Sequence, residues 1–133
     1  MAVIGDLTYP SKQIITSKDN IVIKKYIDGY EGGRTLDTTG YSLPVINAGH
    51  VVIVETAKKV FKPMPLNEAK DAYASLPTGH QYAGIVVATK TTDRPFVGIM
   101  TQGTINPKAA PFAYDSILAA VKAALPLIEF RED

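Results

Sequence analysis

The sequence predicts a mainly β protein of the α+β kind: a small β-barrel or sandwich-like body with one C-terminal helix and one short inserted helix, preceded by an extended N-terminal arm. Three observations lead there. Apolar runs rich in β-branched residues recur at His50–Glu55, Val60–Pro63, Tyr82–Lys90 and Arg94–Ile105, separated by short polar links. Only one segment, Tyr114–Leu125, repeats its apolar residues with a clear helical period. The stretch before residue 45 mixes turn residues with isolated hydrophobics and keeps no period. The chain therefore divides into an arm and strand over 1–44 and a body over 45–133.

Within the arm, residues 1–20 carry Gly5, Pro10, Ser11, Ser17, Asp19 and Asn20 between hydrophobics such as Ile14 and Ile15, the pattern of a mobile or partner-ordered lead. Residues 21–27, Ile-Val-Ile-Lys-Lys-Tyr-Ile, have strand propensity. Asp28-Gly29 and Gly32-Gly33 then break the chain, because glycine tolerates the positive φ of a sharp turn. Tyr9, Tyr26, Tyr30 and Tyr41 place four of the seven tyrosines ahead of the body. Tyrosine combines a large contact area with a polar tip, which suits an arm that gains order by docking.

In the body, Thr56-Ala-Lys-Lys59 links the first two runs as one hairpin, and Thr91-Thr92-Asp93 links the next two as another. Between these hairpins, Pro63 and Pro65 stop strand pairing, and Asn67–Leu76 reads as a short helix capped by Asn67, with Leu66, Ala69, Tyr73 and Leu76 on one face. Gly98 and Gly103 lie inside a strand and mark a bulge, a bend or a close backbone approach. The helix over 114–125 follows Pro111 and ends at Pro126. Lys122 is the only charge between Ser116 and Glu129, so this helix is apolar on more than one face. Ile117, Val121 and Leu125 are accordingly expected at a subunit interface, with burial in the chain's own core as the alternative, since periodicity does not distinguish the two.

Charge is balanced, with 14 Lys and Arg against 13 Asp and Glu. A nucleic-acid binder needs a basic face to neutralise phosphates, so no direct nucleic-acid partner is expected. Cysteine is absent, which removes disulfides and thiolate metal sites and is compatible with production in a reducing cytoplasm. There is neither a charged lead followed by a long apolar run nor a stretch of eighteen apolar residues; no export signal or membrane association is expected.

Reactive side chains do not form a recognisable constellation. The two histidines, His50 and His80, each follow glycine and read as exposed turn residues; neither has a second ligand at metal-binding spacing. Ser11, Ser17, Ser42, Ser75 and Ser116 lack the strand-turn-helix setting of a nucleophile. Glu68 and Asp71 read as a solvated face rather than a carboxylate pair. The glycine-rich run Asp28-Gly-Tyr-Glu-Gly-Gly-Arg34 lacks the Gly-Lys-Ser/Thr of a phosphate loop, and Arg34 is placed to pair with Asp37. No catalytic residue, metal site or cofactor is assigned, and the chain reads as a non-enzyme that presents surfaces.

The order of the body's elements carries a resemblance. An Ala-Gly-led strand at Ala48–Val54 is followed by a Lys-hydrophobic-aromatic-x-Pro strand at Lys59–Pro63. Next come a Gly-Ile-hydrophobic segment at Ala83–Ala88, a glycine-bearing strand at Ile99–Ile105, and a helix with a closing hydrophobic-x-Phe at Ile128–Phe130. In this sequence of parts the chain resembles the head decoration proteins of tailed bacteriophages, the family typified by the capsid-stabilising protein of phage lambda. Its first forty residues are also similar to auxiliary capsid proteins of phages infecting gut Bacteroides, including the crAss-like group. The resemblance implies a virion protein on the outer capsid surface, made in the host cytoplasm, that clamps adjacent major capsid subunits and clusters as a homo-oligomer, commonly a trimer, at three-fold positions. It further implies capsid contact through the arm, for which Ile21, Ile23, Tyr26, Tyr30 and Arg34 are the candidates. The alternatives are a head fibre or adhesin subunit that binds a host glycan or surface, and a small enzyme or ligand-binding β-barrel.

Overall fold

The structure is a computed structural model that describes residues 16–132; expectations for residues 1–15, Tyr9 among them, lie outside the described residues. Strand makes up 38% and helix 9%, which establishes the mainly β class. The elements are α1 (Asp19–Val22), β1 (Ile23–Gly29), β2 (Arg34–Thr35), β3 (Val45–Ile46), β4 (Val51–Glu55), β5 (Phe61–Pro63), β6 (His80–Val86), β7 (Lys90–Thr91), β8 (Phe96–Val97), β9 (Ile99–Ile105), α2 (Leu118–Ala124) and β10 (Ile128–Phe130).

One sheet runs β1-β9-β6-β4-β5, and two short ribbons, β2 with β8 and β3 with β7, lie beside it. β9 is the hub. β1 follows one of its edges from Ile23 opposite Ile105 to Gly29 opposite Met100. The other edge is shared, with β6 antiparallel at Ile99 and Met100 and β10 parallel from Gly103 to Ile105. Successive strand residues face opposite ways, and both faces are covered. Val51, Ile53, Ile85 and Met100 point into a core closed by α2, Tyr73 and Tyr114. Val52, Val86 and Ile99 point into a second core closed by Leu36, Ile46 and Val97 from the ribbon segments. The strand path is open, with β1 and β5 at its ends, so the main sheet does not close into a barrel.

The first expected hairpin is observed: β4 and β5 pair antiparallel from Val52 opposite Pro63 to Val54 opposite Phe61. The second is wider than its link suggests. β6 and β9 meet only at Ile85–Met100 and Val86–Ile99. The residues between them carry β7 to β3 and β8 to β2, and Thr92 is tied to the Leu43 and Pro44 carbonyls at 2.5 and 2.9 Å. Gly84 allows the β6–β9 approach, since a Cβ there would lie 2.5 Å from the Met100 carbonyl oxygen. At Gly103 a Cβ would meet the Lys25 carbonyl, so the close backbone approach expected of this glycine is present and its neighbour is β1. Gly98 faces only the Val87 side chain at ordinary contact distance.

Several expectations are corrected. No helix forms over 67–76. Leu66 pairs with Tyr73 as an antiparallel bridge, Lys70 takes a positive φ of 59°, and Asn67 spends both ends of its amide on Asp71. A short helix is marginal by itself; this turn instead delivers Tyr73, 4% exposed, to the core. The C-terminal helix is shorter than expected, with Tyr114–Ile117 forming the turn ahead of it. Ile21 and Val22 belong to α1 rather than to the strand.

The segment expected as arm is partly built into the body, because β1 lies in the main sheet. α1 anchors it. Asp19 accepts hydrogen bonds from the Thr89 amide at 3.0 Å and hydroxyl at 2.7 Å, while Val22 is buried and its carbonyl accepts from the Asn106 amide at 2.8 Å. Charge-assisted bonds of this kind are the stronger class, so the chain is fixed immediately before β1 begins.

Candidate functional site

β1 is a terminal strand of the sheet, and among the described residues no second strand pairs with it. Its register with β9 contains two places where one β9 residue faces two on β1. Lys24 is the extra residue between Ile23 and Lys25, and Ile27 the extra residue between Tyr26 and Asp28. Each bulge interrupts the in-out alternation and re-aims a side chain. As a result Lys24, Lys25, Tyr26, Ile27 and Asp28 are all exposed. Five large hydrophobic side chains are exposed among the described residues, and three of them, Ile21 at 54%, Tyr26 at 51% and Ile27 at 51%, fall within this short stretch. Ile21 lies in α1 and Tyr26 and Ile27 in β1, so three of these five side chains fall within seven residues of chain.

The expected contact residues divide. Ile21 and Tyr26 are on this surface. Ile23 packs against the first core. Tyr30 meets Phe61 edge-on at 5.2 Å, and the Arg34 guanidinium lies over both rings at 5.3 and 5.8 Å. Arg34 also donates to the Glu31 and Gly33 carbonyls at 3.0 and 2.6 Å, so the pairing expected with Asp37 is replaced by carbonyl and ring contacts. Tyr30 and Arg34 therefore lock the turn after β1 instead of projecting from it. Ile27 is an exposed apolar residue that sequence reasoning did not single out, and it sits at the register shift between Tyr26 and Asp28.

The three residues expected at a subunit interface are also relocated. Ile117, Val121 and Leu125 are 5%, 0% and 7% exposed and belong to the chain's own first core. The exposed side of α2 is Ala119, Ala120, Lys122, Ala123 and Ala124.

The histidines differ from each other. His50, expected in an exposed turn, is fully buried. Its Nε2–H donates to the Met64 carbonyl at 3.0 Å, Nδ1 has no partner among the described residues, and Tyr41, Tyr73 and Phe112 meet the ring edge-on at 5.3 to 5.6 Å. Burial pushes its pKa down to about 4, against a smaller opposing effect of the Met64 carbonyl. Burial likewise pushes Tyr41 up to about 12 and raises Tyr73 and Tyr114. These two tyrosines are bonded, Tyr73 accepting from the Val51 amide and Tyr114 donating to the Gly49 carbonyl. The cluster is a structural core that joins β4 to the C-terminal segment.

His80 opens β6, opposite Glu55 of β4. Its Nδ1 faces the Thr78 carbonyl at 3.0 Å and its Nε2 faces the Lys62 ammonium at 3.2 Å. A carbonyl only accepts and an ammonium only donates, so these contacts fit the tautomer with the proton on Nδ1.

The chain matches no protein-family model, no curated protein and no solved structure. Its function is therefore argued from its own surfaces. Among the described residues no group of three or more His, Asp or Glu side chains is placed to hold a metal, and no helix is long and apolar enough to cross a membrane. Glu68 and Asp71 are both exposed, and Asp71 is engaged by Asn67. The arrangement with the clearest capacity is the β1 edge, which offers apolar anchors on a segment held rigid by β9 and by α1.

Proposed function

We propose that the chain is a capsid decoration protein of a tailed bacteriophage: a non-enzymatic, cofactor-free virion protein that docks on the outer surface of the head and stabilises the mature shell by clamping adjacent major capsid subunits. The observation that carries this reading is the exposure of Ile21 in α1 and of Tyr26 and Ile27 on β1, three exposed large hydrophobic side chains within seven residues of chain. The ordered resemblance of residues 48–130 to decoration proteins supplies the partner class.

The local chemistry favours docking by anchors over a long added strand. Edge lysines and bulges both discourage edge-to-edge pairing with further copies, and the edge carries Lys24, Lys25 and two bulges. Tyr26 and Ile27 remain as side chains for pockets on the shell, with the backbone around them limited to a short ladder. Full burial of one such side chain contributes about 1.5–3 kcal/mol. Each copy contributes modestly, but copies clustered around three-fold positions add a second contact to every joint that opens under the pressure of packaged DNA.

The test is co-sedimentation of the purified protein with expanded and with unexpanded shells stripped of accessory proteins. Saturable binding to expanded shells, with little to unexpanded ones, is expected. Equal binding to both, or none to shells of the phage that encodes the chain, contradicts the reading.

A further inference from the structure

Ile21 is the one proposed anchor that the sheet does not hold. Tyr26 and Ile27 sit on β1, whose backbone pairs with β9, whereas Ile21 sits in α1. That helix is a single turn of four residues, and no side chain caps its start at Lys18. The Ile21 and Val22 amides donate to the Lys18 carbonyl, each at 2.9 Å. Forming a first turn fixes several dihedral angles for one hydrogen bond, so a helix this short does not hold its shape in water by itself. The display of Ile21, 54% exposed, therefore depends on ties between α1 and the body.

Those ties stand on either side of Ile21. After it, Val22 is buried, its carbonyl accepts from the Asn106 amide at 2.8 Å, and its side chain fills the space that a Cβ at Gly49 would take. Before it, Asp19 reaches Thr89, 70 residues away in sequence: Oδ2 accepts from the Thr89 amide at 3.0 Å and Oδ1 from the hydroxyl at 2.7 Å. Thr89 is itself a fixed point. It is buried, and its hydroxyl oxygen accepts from the Ala48 amide at 3.1 Å, which directs the hydroxyl proton to Asp19. Two bonds from one carboxylate to adjoining donors fix direction as well as distance, and bonds to a charged acceptor are the stronger class.

We propose that Asp19 is a positioning residue for docking: its two bonds to Thr89 hold α1 so that Ile21 meets the capsid surface together with Tyr26 and Ile27. This role rests on the capsid reading above. Asp19 acts through Ile21 and not through the β1 anchors, so its effect on docking vanishes once Ile21 is removed.

The test is a double-mutant cycle on co-sedimentation with expanded shells, using I21S, D19A and D19A/I21S, with a second cycle in which Y26S replaces I21S. I21S is expected to weaken binding roughly four- to tenfold, since about half of the side chain is still to be buried. D19A is expected to lose a similar factor, D19A/I21S no more than I21S alone, and D19A/Y26S the product of the two single losses. D19N is expected to recover most of the loss, because its amide oxygen accepts from the Thr89 amide and its NH2 group donates to the Thr89 hydroxyl. In the free protein, amide exchange over 19–22 is expected to speed up by roughly tenfold or more in D19A, with β6 and β9 unchanged as the sign that the variant is folded. Should D19A not fold, D19S, which keeps one short acceptor, takes its place in the cycle. Losses of D19A and I21S that multiply, or unchanged exchange over 19–22, overturn the positioning role and leave the capsid reading intact. Wild-type protein that binds no shells removes the capsid reading, and the positioning role falls with it.

Discussion

Acidification from pH 7 to pH 4 is expected to remove about 3 kcal/mol of folding stability through His50 alone. The ring is enclosed by Tyr41, Tyr73 and Phe112, its Nδ1 has no acceptor among the described residues to share a proton with, and burial lowers its pKa from 6.5 to about 4. Between those values the unfolded chain binds a proton that the folded chain refuses, so stability is greatest above pH 6.5 and falls as pH drops through this window. The neighbouring tyrosines stay neutral throughout, and among the described residues no carboxylate contacts the ring to offset the effect. Asp37 contributes in a different window. Its depressed pKa gives stability that is present above the ordinary value of 3.8 and is lost below it. Urea denaturation at half-unit steps from pH 7.5 to 4 measures the slope. His50→Phe keeps the aromatic packing, forfeits the bond to the Met64 carbonyl at a cost of about 1 kcal/mol, and is expected to flatten the profile. A wild-type profile already flat between pH 6.5 and 4.5 contradicts the assignment.

The second large effect is on docking. Replacing Tyr26 and Ile27 together by serine is expected to weaken shell binding by about 2–3 kcal/mol per copy, roughly 30- to 150-fold. Both side chains are already half exposed in the free protein, so the melting temperature should stay nearly constant. Phe96→Ser is the matched control, because Phe96 is 56% exposed but belongs to the β2–β8 ribbon. Equal losses in the control and the double variant would mean that exposed apolar area in general, and not the β1 edge, drives binding.

The parts of the fold legible in sequence are those whose information is local. β4 and β5 are consecutive runs with a short link, and the 3.6-residue recurrence of Ile117, Val121 and Leu125 marks the C-terminal helix. The same recurrence says nothing about which chain supplies the burial, which is why these residues are found in the core rather than at an interface. The ribbons β2–β8 and β3–β7 are two-residue pairings between segments distant in sequence, and they leave no periodic trace. The 67–76 turn defeats a helical pattern because Asn67 bonds to Asp71 and burial of Tyr73 outweighs a weak local preference. His50 reads as a turn residue from Gly49-His50, and only the convergence of Tyr41, Tyr73 and Phe112 makes its site apolar.

The candidate surface was half legible. Strand propensity marks β1 from Ile23 onward but not the α1 turn before it, and of the five contact candidates Ile21 and Tyr26 are exposed. Ile27 sits at a register shift that local sequence does not mark, and Tyr30 and Arg34 were claimed by Phe61, a contact partner from β5. The Asp19–Thr89 tie had no sequence signature, since its two residues lie 70 apart.

Amide hydrogen exchange of the protein, free and bound to expanded shells, tests the central claim most directly. Slowed exchange over residues 21–29, with 37–43 and 62–70 unchanged, is the result predicted for docking through the β1 edge. Protection centred on the β5 end, or bound protein with no protection at 21–29, would contradict it.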